Sequence, residues 1–221
     1  MTRYLKAVPE EYYHVFNRGN DGRPIFRTFN DRRRFLLTMF MSLSDLQISK
    51  TDRLLKPVDI AKREAFEPSL LGEVLKRKFT TLTAFALMDN HFHFLIREDS
   101  DRGVARFMQR LQNSYTKYYN ARYEKKGHLF QGAYKLVHVK TNDQLIYLST
   151  YIHRNPRELP GWRGKEALYP WSSCRDYLGN TDWQGLLDKS IIIDQMENGL
   201  TYKQVLETSI AKEPNWQDAP V

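Results

Sequence analysis

The sequence is short of cysteine, of long apolar runs and of net negative charge. Its single cysteine, Cys174, excludes an internal disulfide framework and a cysteine-rich zinc module. No run approaches the ~20 apolar residues that a membrane span needs. The first twenty residues lack the apolar core of a signal peptide. A cytoplasmic protein with no membrane partner is therefore expected. A P-loop signature is also missing, so no nucleotide cofactor is expected. There is no internal repeat and no low-complexity tract.

What is present is a chain of 221 residues and 26.2 kDa, enough for one domain with a core, or one domain plus an appendage. Hydrophobic residues at 41% and charged residues at 27%, with mean hydropathy −0.62, fit an ordinary globular protein rather than a disordered one. Lys plus Arg exceed Asp plus Glu by 34 to 26, a net +8 that marks a polyanion as partner. Aromatic residues reach 13%, with 13 tyrosines. Cations that track phosphates and rings that stack on bases together suit single-stranded nucleic acid.

Periodicity predicts the elements. Residues 12–17 (YYHVFN) read as a strand, followed by a loop of breakers, Arg18-Gly19-Asn20-Asp21-Gly22. Asn30-Asp31 offers a cap for a helix over 31–46. Residues 48–77 form a charged insertion with short helices near 57–65 and 69–77. Residues 79–88 and 91–97 read as strands joined at Asp89-Asn90, a hairpin. An amphipathic helix over 101–124 carries Val104, Phe107, Met108, Leu111, Tyr115 and Tyr118 near one side. A strand over 133–139 and a helix over 143–154, capped by Asn142 and stopped by Asn155-Pro156, complete the order β–α–β–β–α–β–α. That order predicts an α+β fold, a ferredoxin-like split βαβ with an antiparallel sheet, over residues 8–157. Residues 158–221, with a helix near 201–210, read as a C-terminal extension.

Three constellations carry chemistry. In His91-Phe92-His93 the strand alternation puts both imidazoles on one face, about 7 Å apart along the strand, where they can share one divalent ion. Two unrelated hydrogen-bonded histidines are the plainer alternative for this pattern alone. On the following helix Tyr147, Tyr151 and Asn155 fall on one stripe, so a phenol and an amide one turn apart can face the same ion. A phenol, with a pKa near 10, needs a cation or base beside it to act as a nucleophile at neutral pH. The third is the stretch 109–140, with two arginines, five lysines and five tyrosines. A solvated helix face explains much of it; a track for unpaired bases explains it as well.

These blocks together resemble a known family. His91-Phe92-His93 after Met88-Asp89-Asn90 resembles the His-hydrophobic-His motif of the HUH single-strand endonucleases. Tyr13-His14-Val15-Phe16-Asn17-Arg18-Gly19-Asn20, then Ile25-Phe26, resembles the opening of IS200/IS605-type tyrosine transposases. Gly127-His128-Leu129-Phe130-Gln131-Gly132, Tyr151-Ile152-His153-Arg154-Asn155-Pro156 and Tyr169-Pro170-Trp171-Ser172-Ser173 resemble the REP-associated branch. The resemblance spans residues 10 to 179 in spread blocks of the same order. It implies a ferredoxin-like catalytic domain and a Mg²⁺ or Mn²⁺ ion held by His91, His93 and a third polar group. It makes Tyr151 the nucleophile and Asn155 the third ligand, where many relatives carry the longer glutamine. Imidazole with oxygen ligands also suits Zn²⁺, so the residues do not fix the metal.

The function so implied is a metal-dependent DNA transposase that cleaves and rejoins single-stranded DNA beside hairpins through a 5′-phosphotyrosine, as a monomer or homodimer. Tyr115, Tyr118, Tyr119 and Tyr123 compete with Tyr151 on spacing alone. Tyr115 and Tyr118 also fit core or base-stacking roles. Arg18 and Arg23, in the glycine-rich loop, and Lys125 and Lys126 are the candidate DNA contacts. His14, His128, His138 and His153 read as structural or close to DNA. The rival function is a non-catalytic ferredoxin-like protein that binds nucleic-acid hairpins or RNA, which requires no His91/His93/Tyr151 set. A hydrolytic nuclease using activated water is a third, without the carboxylate cluster that two metals need.

Overall fold

A computed structural model describes residues 6–46, 68–180, 183, 185–196 and 201–209. Four strands, β1 (Tyr12–Arg18), β2 (Thr80–Leu87), β3 (His91–Glu98) and β4 (Lys135–Val139), form one sheet in the order β2-β3-β1-β4. Every pairing is antiparallel. The fold is α+β and ferredoxin-like, as the element order predicts. The hairpin at Asp89-Asn90 joins β2 to β3. The helix expected near 57–65 lies outside the described residues; the one expected at 69–77 is α2 (Pro68–Lys76).

Strand alternation divides the interior in two. Phe92, Phe94 and Ile96 of β3 and Tyr13 and Val15 of β1 face α1 (Phe29–Ser42) and α3 (Gly103–Tyr123). There they join Phe35, Met39, Phe107, Leu111 and Tyr115 in the larger core. Leu95 of β3 and the small Ala84 and Ala86 of β2 face the other way. They pack under Leu145, Leu148 and Ile152 of α4 (Asn142–Arg154). Burying each such large aliphatic side chain contributes about 1.5–3 kcal/mol.

The C-terminal segment completes this second core. Cys174 and Tyr177 of α5 (Cys174–Tyr177), Ile192 of α6 (Ser190–Ile193), and Tyr202 and Leu206 of α7 (Tyr202–Thr208) all pack into it. Ser172 and Leu187 bridge to Ala86 and Leu82, covering the free edge of β2. Tyr169 and Tyr177 donate their hydroxyls to the carbonyls of Leu87 (2.6 Å) and Thr83 (3.0 Å). His153 ties α4 to this segment: its Nδ1 pairs with Tyr202 Oη and its Nε2 with Ser173 Oγ, each at 2.7 Å.

Two helix starts differ from the sequence expectation, for the same reason. Helix α1 begins at Phe29, with Thr28 as cap rather than Asn30. Thr28 Oγ1 accepts from Asp31 N while Asp31 returns a bond to Thr28 N, so two orphan donors are satisfied reciprocally. In α4 the cap is Thr141 rather than Asn142, its hydroxyl accepting from Gln144 N at 3.2 Å. A fully buried Asp31 also accepts from Arg27 N (2.9 Å), Tyr118 Oη (3.0 Å) and Tyr123 Oη (2.6 Å), which pins the start of α1 to α3. Asp31→Ala strands these donors. It is expected to cost about 3 kcal/mol, read as a lower urea midpoint.

Candidate active site

Because His91 and His93 alternate with Phe92, the core residue Phe92 turns both imidazoles to the α4 side of the sheet. Their ring centroids are 5.0 Å apart at 88°. Helix α4 crosses this face and brings Tyr151 edge-on to His93, centroids 5.4 Å apart at 81°. Asn155, the C-terminal cap of α4, sits one turn beyond Tyr151 and donates to its carbonyl at 2.9 Å. Asn155 also lies near enough to the His91 ring to favour its protonated form. The structure thus gathers His91, His93, Tyr151 and Asn155 at one place, with Tyr151, His93 and Asn155 buried.

Electrostatics keep the imidazoles neutral. Burial pulls His93 well below its ordinary value, with His14 and His91 adding to the shift. Burial also lowers His91, against the raising effect of Asn155 and with the help of the Arg18 charge. Neutral rings are the form that ligates a metal. Nδ1 of His91 is held by Asn90 Oδ1 at 2.7 Å and Nδ1 of His93 by His14 Nε2 at 2.9 Å. With those partners accepting, each ring carries its proton on Nδ1 and has Nε2 to offer an ion, the arrangement expected of metal-ligating histidines. Among the described residues no three His, Cys, Asp or Glu side chains cluster to hold an ion by themselves. The amide oxygen of Asn155 is the oxygen donor at hand, and this donor set fits a divalent ion.

Around the site, the segment 127–132 runs along the end of β1. Gly19 bridges Phe130, Gln131 N donates to Arg18 O at 2.9 Å, and Asn17 Nδ2 donates to Gly132 O at 3.3 Å. The exposed Arg18 reaches the Gln131 side chain. Arg23 is exposed too, its Nε bonded to Asn20 O at 2.9 Å. Lys125 and Lys126 are exposed just beyond α3. Gly19 is required by close approach: a Cβ there would lie 2.1 Å from Arg23 O. Its N–H donates at 2.8 Å to the carbonyl of Asn90, the residue whose side chain holds His91. Gly19→Ala is expected to displace Asn90 and His91 and to lower DNA cleavage about 10²-fold, with far-UV circular dichroism unchanged.

The tyrosines of α3 are a correction. Tyr115 is fully buried and donates to Ile25 O at 2.7 Å, so it cannot stack on DNA. Tyr118 is half-buried and bound to Asp31; burial and that carboxylate push its hydroxyl up to about 12. Tyr119 donates to Pro24 O and Tyr123 to Asp31. All four lie on the α1 side of the sheet, opposite the histidine pair. That leaves Tyr151 as the tyrosine against the histidines. Two partners escaped the sequence reading: Asn90, which immediately precedes the motif, and His14. The alternation of Tyr13-His14-Val15-Phe16 already places His14 opposite the core face of β1; the pairing of Phe16 with His93 puts it beside the motif.

Fold and site define an α+β domain in which a strand-borne histidine pair faces a helix-borne tyrosine. Residues 61–155 match the family described as "Transposase IS200 like". That stretch holds all four site residues, and over it the chain is similar to IS200-like transposases. A solved REP-associated tyrosine transposase bound to a REP hairpin shares the fold, with TM-score 0.50 and 15% identity over 86% of this chain and 93% of that one. No curated protein matches the chain by sequence. Among the described residues no helix is long and apolar enough to cross a membrane.

Proposed function

We propose that the chain is a metal-dependent single-stranded DNA endonuclease and transposase that cuts and rejoins DNA beside hairpins of the REP type. The observation that carries this reading is Tyr151 set edge-on against His93, with Asn155 one turn away against His91. The REP hairpin bound by the structurally similar transposase supports that class of DNA.

In this reading Tyr151 Oη attacks a backbone phosphorus. The P–O3′ bond breaks, leaving a 5′-phosphotyrosine and a free 3′-hydroxyl. The phenol proton goes to solvent and the departing 3′-oxygen takes one up. Another 3′-hydroxyl attacking the same phosphorus frees Tyr151 and joins new ends, so bond energy is kept and no nucleotide is needed. His91, His93 and Asn155 would hold Mg²⁺ or Mn²⁺. That ion, when bound, polarises the phosphate and offsets transition-state charge. Helix α4 fixes the approach of the phenol, since Leu148 and Ile152 anchor it to the sheet and His153 to α7. Arg18, Arg23, Lys125 and Lys126 offer charge to the phosphates of the bound strand. The four site residues meet within one chain, so a monomer carries a complete set.

The test is to mix the full chain with Mn²⁺ and a pool of single-stranded hairpins with varied flanks, then run a denaturing gel. A covalent protein–DNA band that disappears with chelator or in His91→Ala is expected. Tight binding with neither adduct nor cut product would instead make the chain a non-catalytic hairpin binder.

A further inference from the structure

We propose that His14 is a positioning residue for His93: it fixes which nitrogen of that ring carries the proton. This role rests on His93 being a cation ligand, as read above. His14 Nε2 and His93 Nδ1 are 2.9 Å apart between two buried rings, stacked with centroids 5.1 Å apart at 20°. Only one N–H fits between these nitrogens. If His14 donates, His93 carries its own proton on Nε2 and has no lone pair there to give. If His93 donates, its Nε2 is free, and His14 keeps its proton on Nδ1.

His14 Nδ1 is buried with no hydrogen-bond partner among the described residues, whichever arrangement holds. The fold therefore does not choose between them by satisfying that atom. A purely structural side chain would not need the nitrogen at all. Two residues on, Phe16 packs against the same His93 ring, centroids 5.6 Å apart, with no polar atom to strand. An acceptor at position 14 makes sense if Nδ1–H of His93 must be received, because only that arrangement lets His93 hold a cation through Nε2. Asn90 does the corresponding work for His91: its Oδ1 accepts from Nδ1, 2.7 Å away. Each ring of the pair then has its own orienting partner, one from the turn before β3 and one from the neighbouring strand.

Two measurements test this on the full chain. Nitrogen NMR of ¹⁵N-histidine-labelled protein titrated with Zn²⁺, which is diamagnetic, reads the tautomer directly. Protonated Nδ1 and unprotonated Nε2 on His93, with coupling across the His93–His14 bond, are expected. A proton on Nε2 of His93 with the ion bound would overturn the role. Separately, Mn²⁺ affinity is measured by electron paramagnetic resonance. His14→Phe keeps a ring but no acceptor and is expected to bind about 10–100-fold more weakly. His14→Gln, whose Oε1 accepts, is expected to recover binding. A folded His14→Phe chain that binds Mn²⁺ as tightly as the wild type would overturn the proposal; if that variant does not fold, the tautomer decides. Wild-type adduct formation is followed in parallel. An adduct with unchanged Mn²⁺ affinity in His14→Phe sinks the role of His14 alone, whereas no adduct sinks the nuclease reading.

Discussion

Tyr151→Phe is expected to lower formation of the covalent protein–DNA species by at least about 10⁴-fold, since it removes the attacking oxygen and nothing replaces it. Binding of the same DNA is expected to stay within about twofold, because the change removes one hydroxyl and keeps the ring. That ring packs against His93 and His14, and the helix beneath it is anchored by Leu148, Ile152 and His153. The variant should therefore fold and melt like the wild type. Full cleavage by Tyr151→Phe would mean that another tyrosine, or water, attacks the phosphorus. The α3 tyrosines are poor substitutes, since Tyr115, Tyr118, Tyr119 and Tyr123 spend their hydroxyls on partners across the sheet from the histidines.

The second large effect is acid lability that begins in the histidine range, above that of carboxylates. His14 and His153 are buried, and burial pulls each from 6.5 to about 3. An unfolded chain takes up these protons near pH 6.5, while the folded chain refuses them until about pH 3. Between those limits the unfolded state binds more protons, so stability falls as pH falls. The full contribution is present above pH 6.5; by pH 5 each histidine has given up about 2 kcal/mol. Together that is about 4 kcal/mol, close to the lower end of a domain's whole net stability. The melting temperature is expected to drop by about 8–16 °C between pH 7 and pH 5. A melting temperature that does not change over this interval would show that one or both rings take up protons in the folded state.

The fold was legible because its strands carry the period of two and its helices the period of 3.6 with few exceptions. His91-Phe92-His93 is the clearest case. Phe92 belongs to a core, so its neighbours had to face away from it, and one helix with a Tyr and an Asn one turn apart was available to cover them. What alternation does not state is which strands are neighbours. His14 could be placed on the site face of β1, but its contact with His93 depends on the β1–β3 register, which is set by long-range pairing. Tyr115 and Tyr118 failed for a related reason. An aromatic stripe on a helix looks the same whether a sheet or a strand of bases fills it, and here the sheet does. The helix starts moved because Thr28 and Thr141, not the asparagines after them, reach the free N–H groups of the first turn. The role of the described residues between Tyr169 and Leu206 in covering β2 and supporting α4 was hidden because their short elements have no long periodic pattern.

If Tyr151 supplies the attacking oxygen, tandem mass spectrometry of the adduct finds it there. The protein–DNA species formed with Mn²⁺ would be digested with protease and nuclease and the nucleotide-bearing peptide sequenced. A nucleotide phosphate on Tyr151 is expected. The same mass on Tyr147, on a tyrosine of α3 or on any other residue would contradict it.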